Sequence, residues 1–448
     1  MANRINIKKG LQIPLLGTAE EVIRGTVKSE FVHICPEDFH GITPKLAVRV
    51  NDVVKAGTAL FYEKNHPDML FASPVSGVVT AIERGEKRRI LRIVIKADSN
   101  MQYEEQHVKN VAALSGEEVK KSILDAGIWF LIKQRPYDVV ALPDKQPRDI
   151  FVTGFDTAPL APSTDFLLQD KEADLQAGLD ALAKLTTGKV YLSIGSTTRL
   201  KGLREAKNVV ITEFNGPHPA GNVGVQINHI KPVNRGEVVW TLNAPDVAII
   251  GRLFNKGITD LTRTVALTGS EVKQTGYYHM AIGSELKSIF AQNVTEGISL
   301  RYISGNPLTG RKIEADGVLR AYDKQVTVIP EGDDIHEAFG WASLSPKRYS
   351  AGGTYLPFKK KFRLDARLMG GPRAIIVSNE YDKVFPMDIF PEQLIKSIIA
   401  FNIDKMEQLG IYEVAPEDFA LCEFVDTSKL ELQRIVRKGL DLLRKEME

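Results

Sequence analysis

Two cysteines in 448 residues, Cys35 and Cys422, stand at opposite ends of the chain. They are too few and too far apart for a self-contained zinc site or an iron–sulfur cluster held by four thiolates. Such sparse cysteine fits a reducing compartment, with the cytoplasm as the default. Long apolar runs are missing as well. Nowhere do about 18 apolar residues follow one another, and the opening MANRINIKKGLQIPLLG has no continuous hydrophobic stretch, so the sequence predicts neither a secreted nor a membrane-spanning chain in its own right. Neither sign of charge is in excess: a net charge of +2 supplies no basic footprint, and nucleic acid is set aside as a partner. Internal repeats and low-complexity segments are not found.

What is present is ordinary globular material, 43% hydrophobic and 25% charged. The length exceeds what one hydrophobic core sustains, so roughly three domains of about 100 to 150 residues are expected. From Ile42 to Ala97 short β-like runs (LAVRV, VVKAG, ALFYE, SGVVTAI, LRIVIKA) are separated by turn residues, which predicts a small all-β unit. Its two halves resemble a biotinyl/lipoyl-type barrel. Where a carrier of that type has its modified lysine, this sequence has His66, with Lys64 displaced two residues earlier, so the barrel is read as structural rather than as a swinging-arm carrier.

From Ser115 the period changes. Ser115-x-x-Glu118 reads as a capping box opening a helix that ends before Gly127. Strand-like DIFVTGF, KVYLSIG and NVVITEF alternate with helical KEADLQAGLDALAKL and APDVAIIGRLFNKG, the last stopped by Gly257, and this alternation predicts a largely parallel α/β sheet. TRTVALTG, EGISLRYISG and KQVTVIP around a helical SELKSIFAQN suggest a β-grasp-like module over residues 262–330. Beyond Pro330 lie a basic run KKKFR (359–363) and helical segments, beginning with PEQLIKSIIAFNIDKMEQLG as one helix from proline to Gly410. The expected division is thus 1–110 barrel with an N-terminal extension, 111–260 α/β, 261–330 β-grasp, and 331–448 mainly helical.

Candidate chemistry is thin. Gly195-Ser196-Thr197-Thr198 follows a strand where backbone N–H groups can receive an anion, yet it matches neither G-x-G-x-x-G nor G-x-x-x-x-G-K-[ST], and an ordinary αβ turn is favoured over nucleotide binding. The loop FNGPHPAGNVGVQINHI (214–230) follows NVVITEF, where ligands of open α/β sheets gather. Its histidines, His218 and His229, lack cysteine partners and helical metal spacing, which disfavours zinc. Two readings stay open: glycines and prolines that shape the backbone around a packed His218, or a cradle in which His218 donates to a quinone or other aromatic ligand. Pairs such as Asp333-Asp334 and Glu117-Glu118 read as caps or solvated faces, and no hydrolase-like nucleophile and base can be assembled. The cations Lys359, Lys360, Lys361, Arg363, Arg367 and Arg373 read as a solvated surface, with an acidic partner or anionic lipid as the alternative.

Several segments together, in order along nearly the whole chain, resemble the A subunits of the bacterial sodium-translocating NADH:quinone reductases (Na+-NQR). They are INIKKGLQIPLLG, SPVSGVVTAI, KQRPYDVVALPDKQPRDIFVTGFDTAPLAP, FNGPHPAGNVG, HEAFGWASLSPKRYS and EYDKVFPMDIFPEQLIKSIIAFNIDKMEQLGIYEVAPEDFALCEFV. The resemblance implies a peripheral subunit on the cytoplasmic face of the bacterial inner membrane. Five other subunits would complete a respiratory-chain translocase that oxidises NADH, reduces ubiquinone or a menaquinone-type quinone and moves Na+ outward. NADH, flavins and the iron–sulfur centre belong to those other subunits, so the resemblance implies no cofactor and no catalytic residue on this chain. It implies a Rossmann-like α/β domain related to the flavin subunit of complex I and an SLBB-like β-grasp domain. The flavin loop of those relatives is replaced here by IWFLIKQRPYD and their cysteine cluster by the single Cys422. Quinone association is the implied role. The candidates for it are Phe130, Lys133 and Arg135 of FLIKQRP, with His218 of the loop, and each has a structural reading beside it. The alternatives are a free-standing subunit of a flavin-dependent NADH dehydrogenase, or a structural, carrier-like scaffold.

Overall fold

The computed structural model describes residues 3–333, 349–352 and 360–447. Lys359, Asp334 and nearly all of HEAFGWASLSPKRYS lie outside the described residues. Four sheets organise the rest. The barrel combines a four-stranded sheet (Phe31–Ile34, Ile90–Ala97, Gly77–Arg84, Val53–Val54) with a three-stranded one (Pro44–Leu46, Ala59–Glu63, Leu70–Ala72). Lys64 is exposed in the hairpin between Ala59–Glu63 and Leu70–Ala72.

The central sheet has seven strands. In spatial order they are Asn3–Asn6, Val210–Asn215, Val190–Gly195, Ile150–Thr153, Val239–Asn243, Lys133–Arg135 and Val139–Val140. The first five are parallel; Lys133–Arg135 runs antiparallel to Val239–Asn243. Going along the chain, the sheet grows outward from Ile150–Thr153 on one side and then jumps back to its other side with Val239–Asn243. The strand order therefore reverses between these two, and a crevice opens beyond their carboxyl ends.

Local sequence accounts for most helices. Ser115 and Glu118 form a reciprocal capping box on the helix Gly116–Asp125, which stops at Gly127 with φ +66°. Helices Glu172–Ala183 and Ala244–Lys256 pack on the sheet and on each other through glycine: a Cβ on Gly178 would enter the Val247 carbonyl, and one on Gly251 the Asp174 carbonyl. The second helix ends at Gly257 in the left-handed region, as its position after Lys256 predicts.

The fourth sheet, of six strands (Arg311–Ile313, Leu300–Ser304, Gln325–Pro330, Thr262–Thr268, Gly276–Ala281, Ile23–Thr26), carries a single-turn helix, Lys287–Phe290, where a longer helical SELKSIFAQN was expected. Its edge strand Ile23–Thr26 comes from the amino-terminal segment, just as Asn3–Asn6 completes the α/β sheet.

Two further differences have local causes. The segment 391–410 is two helices, Pro391–Ile399 and Ile403–Gln408, because Phe401 takes φ +53° and Asn402 then caps the second through Lys405 N–H. Residues 223–230, read as loop, form a helix whose Val225 and Ile227 are buried. The carboxyl-terminal helices bury Leu394, Ile395, Leu432, Val436 and Leu440 in one core with Ile7, Phe214 and Val225, so both ends of the chain close on the same flank of the α/β sheet. Among the described residues no helix is long and apolar enough to cross a membrane.

The glycine contact between the two helices is testable. Gly251→Ala overfills it, which costs about 1–3 kcal/mol, and thermal unfolding is expected to show a lowered melting midpoint; an unchanged midpoint would mean that the helices do not sit this close.

Candidate functional site

Beyond the carboxyl ends of Ile150–Thr153 and Val239–Asn243 lies a cavity of roughly 430 Å³, within the range of small-molecule sites. Every domain contributes to it. Asp38 and His40 come from the barrel, Lys133 and Asp156 from the α/β unit, Arg320, Tyr322 and Lys324 from beside the six-stranded sheet, and Glu417 and Arg437 from the carboxyl-terminal segment.

Of the four residues singled out by sequence, Lys133 and His218 line this cavity together. Lys133 Nζ sits 4.5 Å from the centre of the Tyr322 ring and 4.0 Å from Asp138. His218 is 4% exposed. Burial pushes its pKa down to about 4, against a smaller upward pull from Asp156, so the ring is neutral near pH 7. Its Nδ1 lies 3.1 Å from Thr157 Oγ1, which also accepts from Gly221 N–H at 2.9 Å, so the ring is held at the cavity wall by a hydroxyl that has both a proton and a second lone pair to offer it.

Phe130 is not on the wall. It is 1% exposed, in an aromatic cluster with Phe39 (4.8 Å between ring centres) and Phe71 (5.9 Å). It acts on the cavity only through its carbonyl, which accepts from the Tyr322 hydroxyl at 2.7 Å and so fixes the ring under Lys133.

Arg135 is also buried, at 1%. Its Nη1 donates to Asp418 (2.8 Å) and to the Glu413 carbonyl (2.6 Å), and Nη2 donates to Glu417 (3.2 Å). Its terminal nitrogens are used on the carboxyl-terminal segment, so of the two cations of this strand it is Lys133, two residues earlier, that lines the cavity.

The Asp418 carboxylate lies against Gly224, in the first turn of the helix Val223–Ile230, so closely that a Cβ there would overlap it and Arg135. The first turn of this helix therefore has one of the protein's own carboxylates packed against its side. At the other candidate turn, Thr198 Oγ1 accepts from Gly195 N–H (3.2 Å) and Thr198 N–H donates to the Gly195 carbonyl (3.0 Å), the closed pattern of an αβ turn. That turn borders a more open recess of roughly 910 Å³.

Sequence reasoning missed Asp156, Tyr322 and Lys324. Lys324 pairs with Asp156 at 3.0 Å, and although burial works against it, the Asp156 carboxyl is held below its usual range by that lysine. Asp156 could have been found: it stands three residues past a strand end at the carboxyl edge of the sheet. Tyr322 and Lys324 could not, because only the tertiary fold brings them here. Burial, followed by Asp418, pushes Glu417 upward, to about 7, and burial also raises Asp323 above the usual carboxylate range. Of the cationic surface, Arg363 pairs with Glu271 (2.7 Å) and Arg367 with Asp365 (2.8 Å). No group of three or more potential metal ligands occurs among the described residues.

A barrel, a parallel α/β unit and a β-grasp-like sheet in this order define a class of three-module chains, and the family comparisons reproduce it. Residues 5–98 match the "NqrA N-terminal barrel-sandwich hybrid domain", 114–259 the "NqrA second alpha/beta domain" and 264–315 the "NQRA C-terminal domain" of the SLBB type. Proteins named as the A subunit of Na(+)-translocating NADH-quinone reductase are similar over 99% of this chain and 100% of their own: 37% identical in Pasteurella multocida (strain Pm70), 36% in Neisseria meningitidis serogroup A and 34% in Yersinia pestis bv. Antiqua. The chain belongs to the NqrA family, the A subunits of the Na(+)-translocating NADH-quinone reductases. A solved NAD+-reducing [NiFe]-hydrogenase chain superimposes with a TM-score of 0.38 at 13% identity, covering 74% of this chain and 61% of the other.

Two outcomes are expected. Arg135→Met, which strands Asp418 in the interior, should cost about 3–5 kcal/mol, read as a lowered denaturant midpoint. Adding Asp418→Leu should recover part of that loss. For His218, the folded pKa lies below the unfolded one, so stability is fully present above about pH 6.5 and declines as pH falls toward about 4. His218→Gln should flatten the melting midpoint across that window. A titration midpoint near 6.5 for His218, measured by NMR, would contradict the buried neutral ring.

Proposed function

We propose that this chain is the peripheral, cytoplasmic-face subunit of a sodium-translocating NADH:quinone reductase, and that it takes part in quinone access without a redox cofactor of its own. Five further subunits would carry the flavins, the iron–sulfur centre, the NADH site and the sodium path, with Na+ moved outward and the membrane reached through those partners. The domain boundaries at residues 110, 260 and 330, and the kinship of the α/β unit with the complex I flavin subunit, belong to the same reading.

One observation supports the quinone role: His218 and Lys133, distant in sequence, line a single cavity at the point where the strand order reverses. A neutral imidazole N–H and an ammonium are donors that two quinone carbonyl oxygens accept from. Leu131, Leu242 and the Tyr322 ring offer apolar wall, and Glu417 a proton source. The isolated chain, with donors but no electron carrier, would not turn over.

Photolabelling of the purified complex with a reactive quinone is the direct test. Label is expected on this chain near residues 133 or 218, and reduced several-fold in His218→Ala. A complex whose other subunits are labelled while this chain stays blank sinks the quinone role. Co-purification through a tag on this chain separately tests subunit membership, by recovery of Na+-dependent NADH:quinone reductase activity.

A further inference from the structure

Among the described residues eight large apolar side chains are more than half exposed, and four of these, Leu368, Met369, Ile376 and Val377, fall within ten positions of one another. Single surface hydrophobics are ordinary, whereas a cluster marks a contact surface. The segment that carries them is held in place. Arg373 N–H donates to the Ser428 carbonyl at 2.8 Å, Ser428 Oγ to the Ala374 carbonyl at 3.0 Å and Ser378 N–H to Glu392 at 3.1 Å, while Ile375 packs on the carboxyl-terminal core. Pinned at these points, the segment still turns two apolar pairs to the outside.

Leu368 borders an open recess of roughly 550 Å³, whose walls include Leu430 and Ile435 and the cations Lys429, Arg434 and Lys438. Both acids of the recess are engaged within the chain: Glu431 pairs with Arg434 at 2.7 Å, and Glu423 accepts from Gln433 N–H at 2.9 Å. Lys429 and Lys438 have no acidic partner among the described residues, and neither has Arg373, which follows the lining residue Pro372. The cations and the apolar pair meet at one place. A Cβ on Gly370 would lie 3.7 Å from Lys429 Cε, so the backbone just past Met369 rests against that lysine.

We propose that this face docks on an anionic phospholipid bilayer, with Leu368 and Met369 entering the acyl boundary and Lys429, Lys438 and Arg373 meeting the headgroup phosphates. Charge complementarity selects the occupant. A bilayer of this kind offers negative charge at its surface and apolar depth directly beneath it, which is the combination that projecting aliphatic side chains with unpaired cations beside them call for. A purely apolar partner surface would leave the three cations unmatched. The inference stands apart from the quinone reading, since none of these residues lines that cavity, and it gives the chain a membrane contact of its own beside those made through partners.

The test is flotation of the full chain with vesicles. It should float with vesicles of phosphatidylcholine and phosphatidylglycerol in equal parts and stay behind with phosphatidylcholine alone. Leu368→Ser combined with Met369→Ser, and separately Lys429→Gln combined with Lys438→Gln, should each lower the bound fraction several-fold at unchanged melting midpoint, because all four side chains lie at the surface. Equal flotation with both vesicle types, or none with either, overturns the proposal. So does release of the chain by millimolar glycerol phosphate, which would mean a site for a free phosphate ester. If the Leu368 and Met369 variant floats like wild type but no longer co-purifies with other subunits, the face belongs to a protein partner and the proposal fails.

Discussion

The buried ion pair of Arg135 with Asp418 ties the α/β sheet to the carboxyl-terminal segment. The two residues are 283 positions apart and their side chains are 1% and 0% exposed. Neither charge could be buried alone, so the carboxyl-terminal segment must dock wherever Arg135 stands. Several features follow. Residue 224 must be glycine-sized, since the carboxylate rests on it. Ala415 N–H is satisfied by the same carboxylate at 2.9 Å. Glu417 is held at the cavity wall by the second guanidinium nitrogen. A contact that fixes register in this way also shapes the site, because Arg135 and Lys133 sit on one short strand. Fixing one side chain places the other.

This arrangement explains why the loop GPHPAGNVG is rich in glycine without gripping a phosphate. Gly216 takes φ +149°, where a side chain would enter the Ile7 carbonyl, and Gly221 brings its N–H to Thr157. Gly224 yields to Asp418. Each glycine answers to a different neighbour within the chain. The first turn of the helix Val223–Ile230 thus lies against a carboxylate of the protein itself, which Arg135 and Ala415 N–H hold. The glycines of the loop are thus set by neighbours within the chain, and His218 stands buried at the wall of the cavity.

Legibility in the sequence tracked how local the cause was. The capping box at Ser115, the Gly257 stop and the alternation of strands with helices all depend on neighbours a few residues away, and the structure has them where the pattern put them. Asn3–Asn6 and Ile23–Thr26 could not be read, because short, mostly exposed edge strands carry no hydrophobic alternation and owe their existence to strands more than 180 residues away. The break at Phe401 was hidden for a different reason. Apolar residues recur on both sides of it at nearly helical spacing, and only the left-handed backbone shows that the second helix starts anew at Asn402. Of the site, His218 and Lys133 were visible as residue types in suggestive loops. Their partners, Thr157 beside the His218 ring and Tyr322 beneath the Lys133 cation, are consequences of packing.

The cavity's electrostatics narrow what could enter it. A nicotinamide nucleotide or flavin mononucleotide brings phosphate charge and normally meets a free helix start or glycine-rich cradle. Here Asp38, Asp138, Asp156, Asp246 and Asp323 border the cavity together with Lys133, Arg320, Lys324 and Arg437, and most of these charges are paired, Arg320 with Asp38 at 2.9 Å and Lys324 with Asp156 at 3.0 Å. A phosphate would have to compete with these pairs for its cations. An uncharged ligand with carbonyl acceptors meets no such penalty. It needs only donors, and Lys133 stands at the wall as one, beside a His218 ring kept neutral by burial. The docking of the carboxyl-terminal segment through Arg135 is what sets Asp418 against Gly224 and Glu417 at the cavity wall, so the charges that meet any ligand there are fixed by one contact distant from it in sequence.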